Sequence, residues 1–284
     1  MPKEPLPVHS LTLDERPVQV RPIEYRNPYD FTREHRHTYF EIFFFEKGGG
    51  SQLIDFHELP VEDHSCYIVF PQQIHLLKRA PDAYGTLLQF REEVIPASQV
   101  RILLKQLSFG GQPAVFFEKD RNQLLEYNPL IALLKSSSEK PTAHSQDAAL
   151  NFLQALLLQL MENKSNENIV IPVADRKLLF EFQQLLEEQF MYNHLVSKYA
   201  SSLNSTEKKL SAATKQYLGL SPLQVIHNRI LLEAKRLLLF DGSSHKEIAY
   251  KLGFDSPASF SLFIKNKTGF NPSELNLELV NFHK

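Results

Sequence analysis

From about Val20 to Phe90 the chain alternates short β-branched or aromatic runs with turn residues. Tyr39 to Phe45, Gln52 to Phe56, Cys66 to Phe70 and Thr86 to Phe90 are such runs, and Gly48-Gly49-Gly50 suits a hairpin connection. A series of short strands predicts a small sandwich or barrel. After Glu92 the spacing changes. Ile102, Leu103 and Leu107, then Leu124 to Leu134, then Leu150, Leu153, Leu156, Leu157 and Leu160 fall at intervals of three and four, which predicts helices. The last stripe reads as core within its own domain, with a dimer contact as the alternative. Residues 1 to about 20 are proline-rich and read as an irregular arm, while the polar run from Glu162 to Asn168 reads as a domain boundary.

Beyond that boundary the pattern is helical and an internal repeat is present. Gly219-Leu220-Ser221-Pro222 returns as Gly269-Phe270-Asn271-Pro272, and Lys215 as Lys265, at an interval of 50 residues; Ala200 and Leu203 return as Ala249 and Leu252 at 49. One supersecondary unit has been used twice. Each copy carries the punctuation of a helix, a tight turn and a second helix. In the second copy Ser244 and Glu247 form a capping-box pattern, Ile248, Ala249 and Leu252 share a face, and Gly253 suits a left-handed stop. Ser256-Pro257 then restarts a helix that buries Phe260, Phe263 and Ile264. In the first copy Tyr199, Ala200 and Leu203 face inward, Asn204 or Ser205 caps the next helix, and Leu210, Ala213, Thr214 and Leu218 form its buried stripe. Between the copies Ser221-Pro222 with Gln224 starts a long helix from Pro222 to Phe240, roughly 28 Å at 1.5 Å per residue.

Net charge is −2 over 284 residues, which by itself points to no nucleic acid. Its distribution is more telling. Val196 to Phe270 holds 11 lysines and arginines against 5 acidic residues, whereas Met1 to Glu167 holds 17 against 22. A basic segment on an acidic chain fits a protein in which one domain meets phosphate. The start has neither a signal-peptide pattern nor a long apolar run, and no stretch reaches the roughly 20 apolar residues that span a bilayer. A single cysteine, Cys66, forms no internal disulfide, which suits a reducing, cytoplasmic compartment; its strand-like surroundings mark it as core rather than nucleophile.

The stretch from Arg229 to Leu275 resembles the DNA-binding domain of the bacterial AraC/XylS family, through its Gly-Phe turn, its Ser-x-Phe-Ser helix and its Thr-Gly-Phe-x-Pro end. The resemblance is strong from about Lys198 to Leu275 and weak before it. It implies that the second helix of each unit enters the major groove of duplex DNA, in successive grooves. Contacts to bases or phosphates are then expected from Thr206, Lys208, Lys209, Ser211 and Lys215 in one unit, and Pro257, Ser259, Ser261 and Lys265 in the other. A solvated surface is the plainer reading of each lysine. The sequence departs from the family at Ser259, where an aromatic is usual, and at Leu262 and Ala212, where arginine is usual. Thr214 stands where phenylalanine is frequent.

In the N-terminal part, His35-x-His37 followed by Glu41 and Gly48 resembles the first motif of cupin barrels, and Pro71-Gln72-Gln73-Ile74-His75 resembles the second without its usual glycine and asparagine. Residues 35, 37 and 41 share parity on an extended strand, as do Tyr39 and Phe43. The first reading is an effector pocket for a small molecule formed by His35, His37, Tyr39, Glu41, Phe43 and His75. Polar side chains bonded to one another without a ligand are the second reading. A divalent metal on His35, His37, Glu41 and His75 is the third. No nucleophile, base and orienting group occur together in a motif.

The expected fold is thus α+β and multi-domain. A cupin-like β barrel with trailing helices (residues 21–167, after an arm over 1–20) precedes an all-α domain over 168–284, with two helix-turn-helix units joined by a long helix. The expected function is sequence-specific DNA binding that regulates transcription, modulated by a small molecule in the barrel. No catalysis and no cofactor are expected. The partners are double-stranded DNA, an effector, a second copy of the chain, and RNA polymerase if the protein is an activator. The alternative is a metal-dependent cupin enzyme with an appended DNA-binding domain.

Overall fold

The computed structural model describes residues 6–10, 16, 18–24, 33–95, 114–117, 121–164 and 173–282. They divide into two compact units, one holding the described residues from Pro7 to Lys164 and the other those from Val173 to Phe282.

The first unit is built on strands β1 (Val8–His9), β2 (Val18–Pro22), β3 (Arg36–His37), β4 (Phe40–Lys47), β5 (Gly50–Ile54), β6 (His57–Pro60), β7 (Ser65–Val69), β8 (His75–Arg79), β9 (Tyr84–Phe90) and β10 (Ala114–Phe117). A five-stranded antiparallel sheet has the order β10-β7-β4-β9-β2, and a three-stranded one the order β6-β5-β8. β1 runs parallel to β3, with His9 opposite His37. Part of the stretch expected to be an irregular arm is therefore in strands. The strand β10 also departs from expectation, since it pairs with β7 in a region read as helical. Its Ala-Val-Phe-Phe run is β-prone, and a sheet edge was available to receive it. Ile102, Leu103 and Leu107 lie outside the described residues.

The strand β4 is buried on both faces, which is why its sequence lacks a clean alternation. Phe40, Ile42 and Phe44 pack with Cys66, Ile68, Leu88 and Phe90 beneath two helices, α1 (Arg121–Ser138) and α2 (Ala143–Lys164). The leucine stripe of α2 closes that core: Leu153, Leu156, Leu157 and Leu160 are all buried in it. The stripe is intradomain core rather than an open face. On the other side of β4, Phe43 and Phe45 join Ile54, Tyr67, Val69 and Leu87 in a second apolar cluster between the two sheets. Glu41 shares the parity of Phe43 and Phe45 and so lies on that inner side.

The second unit is helical: α3 (Val173–Gln189), α4 (Val196–Ser202), α5 (Glu207–Leu218), α6 (Pro222–Arg236), α7 (His245–Lys251), α8 (Pro257–Thr268) and α9 (Pro272–Phe282). The linking helix α6 continues through a π turn over Leu237–Asp241 and ends at left-handed Gly242. The start of the linker is set by local chemistry and its middle by a contact from a distant segment. Ser221 and Gln224 form a capping box ahead of Pro222, and Arg229 fastens the helix to α3. Arg229 Nε lies 2.9 Å from both carboxylate oxygens of Glu187, its Nη1 3.0 Å from Glu233, and its guanidinium 3.8 Å from the centre of the Phe190 ring. Arg229 and Arg236, the two arginines of the basic segment, are thus held in ion pairs within the fold. Its outward positive charge comes from lysines. Among the described residues no helix is long and apolar enough to cross a membrane.

Candidate functional site

The two copies of the repeat correspond element by element along the chain. Their first helices, α4 and α7, bury Tyr199 with Ala200 and Ile248 with Ala249. The turn after each passes through a left-handed residue, Asn204 (φ 48°) in one copy and Gly253 (φ 73°) in the other. Asparagine is one of the few side chains that tolerate this region. Gly253 has a second reason to lack a side chain, because a Cβ there would lie 2.4 Å from the carbonyl oxygen of Met191. The second helices are capped by Thr206, which accepts from Lys209 N at 3.1 Å, and by Ser256, which accepts from Ser259 N at 3.1 Å. The cap of α5 is therefore Thr206, where Asn204 or Ser205 was expected; Asn204 is consumed by the left-handed step. One residue separates Asn204 from Thr206 and two separate Gly253 from Ser256, so the change of repeat interval from 49 to 50 residues falls inside this turn. Both helices end at left-handed glycines, Gly219 and Gly269.

Each second helix has one buried and one open face. In α5, Leu210, Ala213 and Thr214 are buried, and Lys208, Lys209 and Lys215 are exposed with Ser211 at the margin. In α8, Phe260 and Ile264 are buried, Ser259 and Lys265 are exposed, and Pro257 and Ser261 are half-buried. Every position expected to meet DNA is thus at least partly open. Two of them also have cap duties: Thr206 as above, and Ser259, whose Oγ donates to Ser256 O at 2.8 Å. The open face of α8 includes one large apolar side chain that the expected contact set omitted, Leu262, 59% exposed.

In the sheet unit three of the four expected metal-ligating groups converge. His37 of β3 and His75 of β8 place Nε2 at 3.3 and 3.2 Å from the same oxygen, Oε2, of Glu41 on β4. Ligand atoms of His37, Glu41 and His75 all lie within 4.8 Å of one another, and all three residues are buried. His35 flanks the group, its ring 4.3 Å from that of His75, and its Nδ1 donates to the Arg33 carbonyl at 3.0 Å. Tyr39 stacks on His37 at 4.1 Å, and Phe43 belongs to the apolar cluster between the sheets. His75 is brought in by the turn before it. Buried Asp55 accepts from Gln73 Nε2 at 3.1 Å and from Ile74 N at 3.2 Å, while Gln73 Oε1 accepts from Phe70 N.

Burial favours the neutral imidazole, lowering His37 and pushing His35 down to about 3 with help from the neighbouring His75. Burial alone would raise the Glu41 carboxyl, but the charges and hydrogen bonds of His37 and His75 outweigh it and hold Glu41 well below the usual range. A buried carboxylate ringed by imidazoles results.

Three participants escaped the sequence reading. Gln89, opposite Glu41 on β9, donates Nε2 to Glu41 Oε1 at 2.7 Å. His9 brings its ring to 5.4 Å from that of His35. Gln52 of β5 is fully buried, and neither end of its amide has a hydrogen-bond partner among the described residues. Parity along paired strands would have found Gln89 had the register been known. Nothing local marks His9 or Gln52.

Comparison with known proteins agrees with this division. A family model described as an AraC-like ligand binding domain matches residues 17–168, and one described as a helix-turn-helix domain matches residues 199–277. The chain is 23% identical over 276 residues to the HTH-type transcriptional activator RhaS of Citrobacter koseri, covering 91% of each, and 21% identical over 281 residues to that of Klebsiella pneumoniae, covering 94% and 96%. Among solved structures it is similar to unsaturated fatty acid bound ToxT of Vibrio cholerae, with a TM-score of 0.42 and 15% identity over 93% of this chain and 95% of that one. With a ligand-binding model over its sheet unit and a helix-turn-helix model over its helical one, the chain belongs to the AraC/XylS family of DNA-binding transcription regulators.

Proposed function

We propose that the helical unit, taken as residues 168–284, reads duplex DNA with the open faces of α5 and α8, and that the sheet unit, taken as 21–167, senses a small molecule that modulates the reading. Thr206, Lys208, Lys209, Ser211 and Lys215 meet one major groove; Pro257, Ser259, Ser261 and Lys265 meet the next. The observation that carries this is the duplication itself. Two capped helices, each buried on one side and polar or basic on the other, are joined by a continuous helical rod of about 30 Å, close to one turn of DNA at about 34 Å. A homodimer would double the number of reading helices and lengthen the site. The protein acts in the cytoplasm and, as an activator, would engage RNA polymerase. Selection of bound sequences from random duplexes by the full chain should return a defined motif. A chain that binds without any motif would be an architectural DNA binder instead.

For the sheet unit, the effector reading rests on polar groups sealed in the interior with capacity to spare. Gln52 has both ends of its amide unpartnered, and His75 Nδ1 has no partner among the described residues. Buried groups of this kind are normally satisfied, so they suit a ligand bearing donors and acceptors. The residues assigned to it are His35, His37, Tyr39, Glu41, Phe43 and His75.

A second reading is favoured by the convergence of His37, Glu41 and His75. Two imidazoles and a carboxylate fit zinc, iron or manganese. A cation there would supply a positive centre for an anionic or hydroxylated effector. Elemental analysis of the purified chain separates the two: a stoichiometric metal lost in His37→Ala or His75→Ala favours this second reading.

A further inference from the structure

Helix α8 shows a feature that a phosphate-binding surface does not require. Its open face runs through Ala258, Ser259, Leu262, Lys265 and Asn266, all exposed, and Leu262 sits at the middle of this stripe. At 59% exposure its isobutyl group is among the most open large apolar side chains of the protein. The apolar needs of α8 are already met on the opposite side by Phe260 and Ile264, both fully buried, and by Phe263 against Phe254. Leu262 is therefore not held outward by a crowded core; it projects where the helix is otherwise polar. One turn on, Lys265 supplies charge at the same face, and Lys267 follows. The first copy repeats the arrangement. Ala212, at the matching position of α5, is exposed and apolar, and Lys215 follows it by the same three residues.

An apolar side chain flanked by hydroxyls and lysines matches one chemical feature of duplex DNA. Phosphates, sugars and most base edges offer charge or hydrogen bonds. The C5-methyl of thymine is the apolar group of the major groove, and it projects from a single base. We infer that Leu262 is a specificity-determining residue that packs on a thymine methyl, and so selects thymine at one position of the half-site read by α8. Ala212, which lacks the isopropyl end of a leucine, makes at most a weaker contact of the same kind in the half-site read by α5. The inference rests on the groove-reading role proposed above for α8. It adds a base preference that neither the lysines nor the serines would impose, since hydroxyls pair with several base edges and lysines favour phosphate or guanine.

The test starts from the operator that the full chain selects from random duplexes. Each thymidine of that operator is replaced in turn by deoxyuridine, which removes one methyl and leaves every hydrogen-bonding group in place. Wild type should lose about fourfold in affinity at one thymidine of the α8 half-site, the effect of losing contact with one buried methyl. Leu262→Ala should bind the unmodified operator more weakly and be indifferent to that replacement, and repeating the selection with Leu262→Ala should relax the preference for thymine there alone. Because Leu262 is exposed, the variant should melt as wild type does, and Lys265→Ala should keep the deoxyuridine effect. The inference is overturned if no thymidine matters, if the loss persists in Leu262→Ala, or if Leu262→Ala lowers transcription while DNA affinity is unchanged, which would assign Leu262 to a protein partner. Failure of the underlying reading looks different: wild type would then show no preferred duplex at all, and the inference would fall with it.

Discussion

His75 reaches the carboxylate of Glu41 from a different sheet, Nε2 to Oε2 at 3.2 Å, and both side chains are almost wholly buried. The pair ties β8 to β4 inside the unit, with His37 on the same oxygen and Gln89 on the other. Among the described residues the polar partners of Glu41 named here, His37, His75 and Gln89, are all buried. Glu41→Leu should destabilise the sheet unit by on the order of 3 kcal/mol, because it strands two or more buried donors at once. Glu41→Gln keeps the shape and one acceptor and should lose less. Urea denaturation of the full chain, followed through the tyrosines, measures both; equal stability of Glu41→Leu and wild type would mean that the cluster contributes nothing to folding.

If the cluster holds a divalent cation, purified protein should carry it in stoichiometric amount, and His37→Ala or His75→Ala should remove it. Added zinc or manganese at about a hundredfold its dissociation constant should stabilise the chain by about 2.7 kcal/mol. No shift with zinc, manganese or iron(II), together with metal-free protein, removes the metal reading.

Lys265 stands exposed on α8, one turn after Leu262. Lys265→Ala should weaken binding across sequences and reduce the dependence of log affinity on log salt by about 0.9 if the ammonium neutralises one phosphate. Fluorescence anisotropy over a salt series gives the slope, and an unaltered slope removes Lys265 from the phosphate contacts.

Gly253 and Gly269 share a left-handed backbone but not their surroundings. A Cβ on Gly269 meets nothing within 4 Å, whereas one on Gly253 meets the Met191 carbonyl at 2.4 Å. Gly269→Ala should cost about 1 kcal/mol, the conformational penalty alone, while Gly253→Ala adds a backbone collision and should cost clearly more. Thermal melts of the two variants should therefore fall in that order; similar losses would mean that the turn before α8 can open at no expense.

His227 on α6 packs edge-on against Phe263 of α8 and is pushed down to about 4 by burial, then by the charges of Lys267 and His194. The folded state thus prefers the neutral ring more than the unfolded chain does, whose histidine titrates near 6.5. Between those values the unfolded chain binds more protons, so the stabilisation present above about pH 6.5 is lost as pH falls toward 4. His227→Gln should flatten that loss in melts of the full chain. The slope should not vanish, because His194 is also lowered, chiefly by burial.

The lesson of the helical unit is how local its signals are. Ser244 with Glu247, Ser221 with Gln224, and Ser256 ahead of Pro257 satisfy helix ends within three or four residues, so their roles can be read without a partner. The cap of α5 departs from that reading because Asn204 takes the left-handed step itself, and Leu218 and Phe263, expected to be buried, are half-buried. The basic surplus was legible as a sum but not in its arrangement, since Arg229 and Arg236 are drawn into ion pairs.

Sequence alone established a duplicated helix pair, the residues that open and close its helices, and a histidine-rich run of strand parity, because each depends on neighbours a few residues apart. Which strands lie side by side was settled only in three dimensions. Pairing of β4 with β9 put Gln89 on Glu41, and the packing of two sheets brought in His75 and sealed Gln52 between them. Contacts between distant segments depend on register and layer packing, and neither is encoded in any short stretch of the chain.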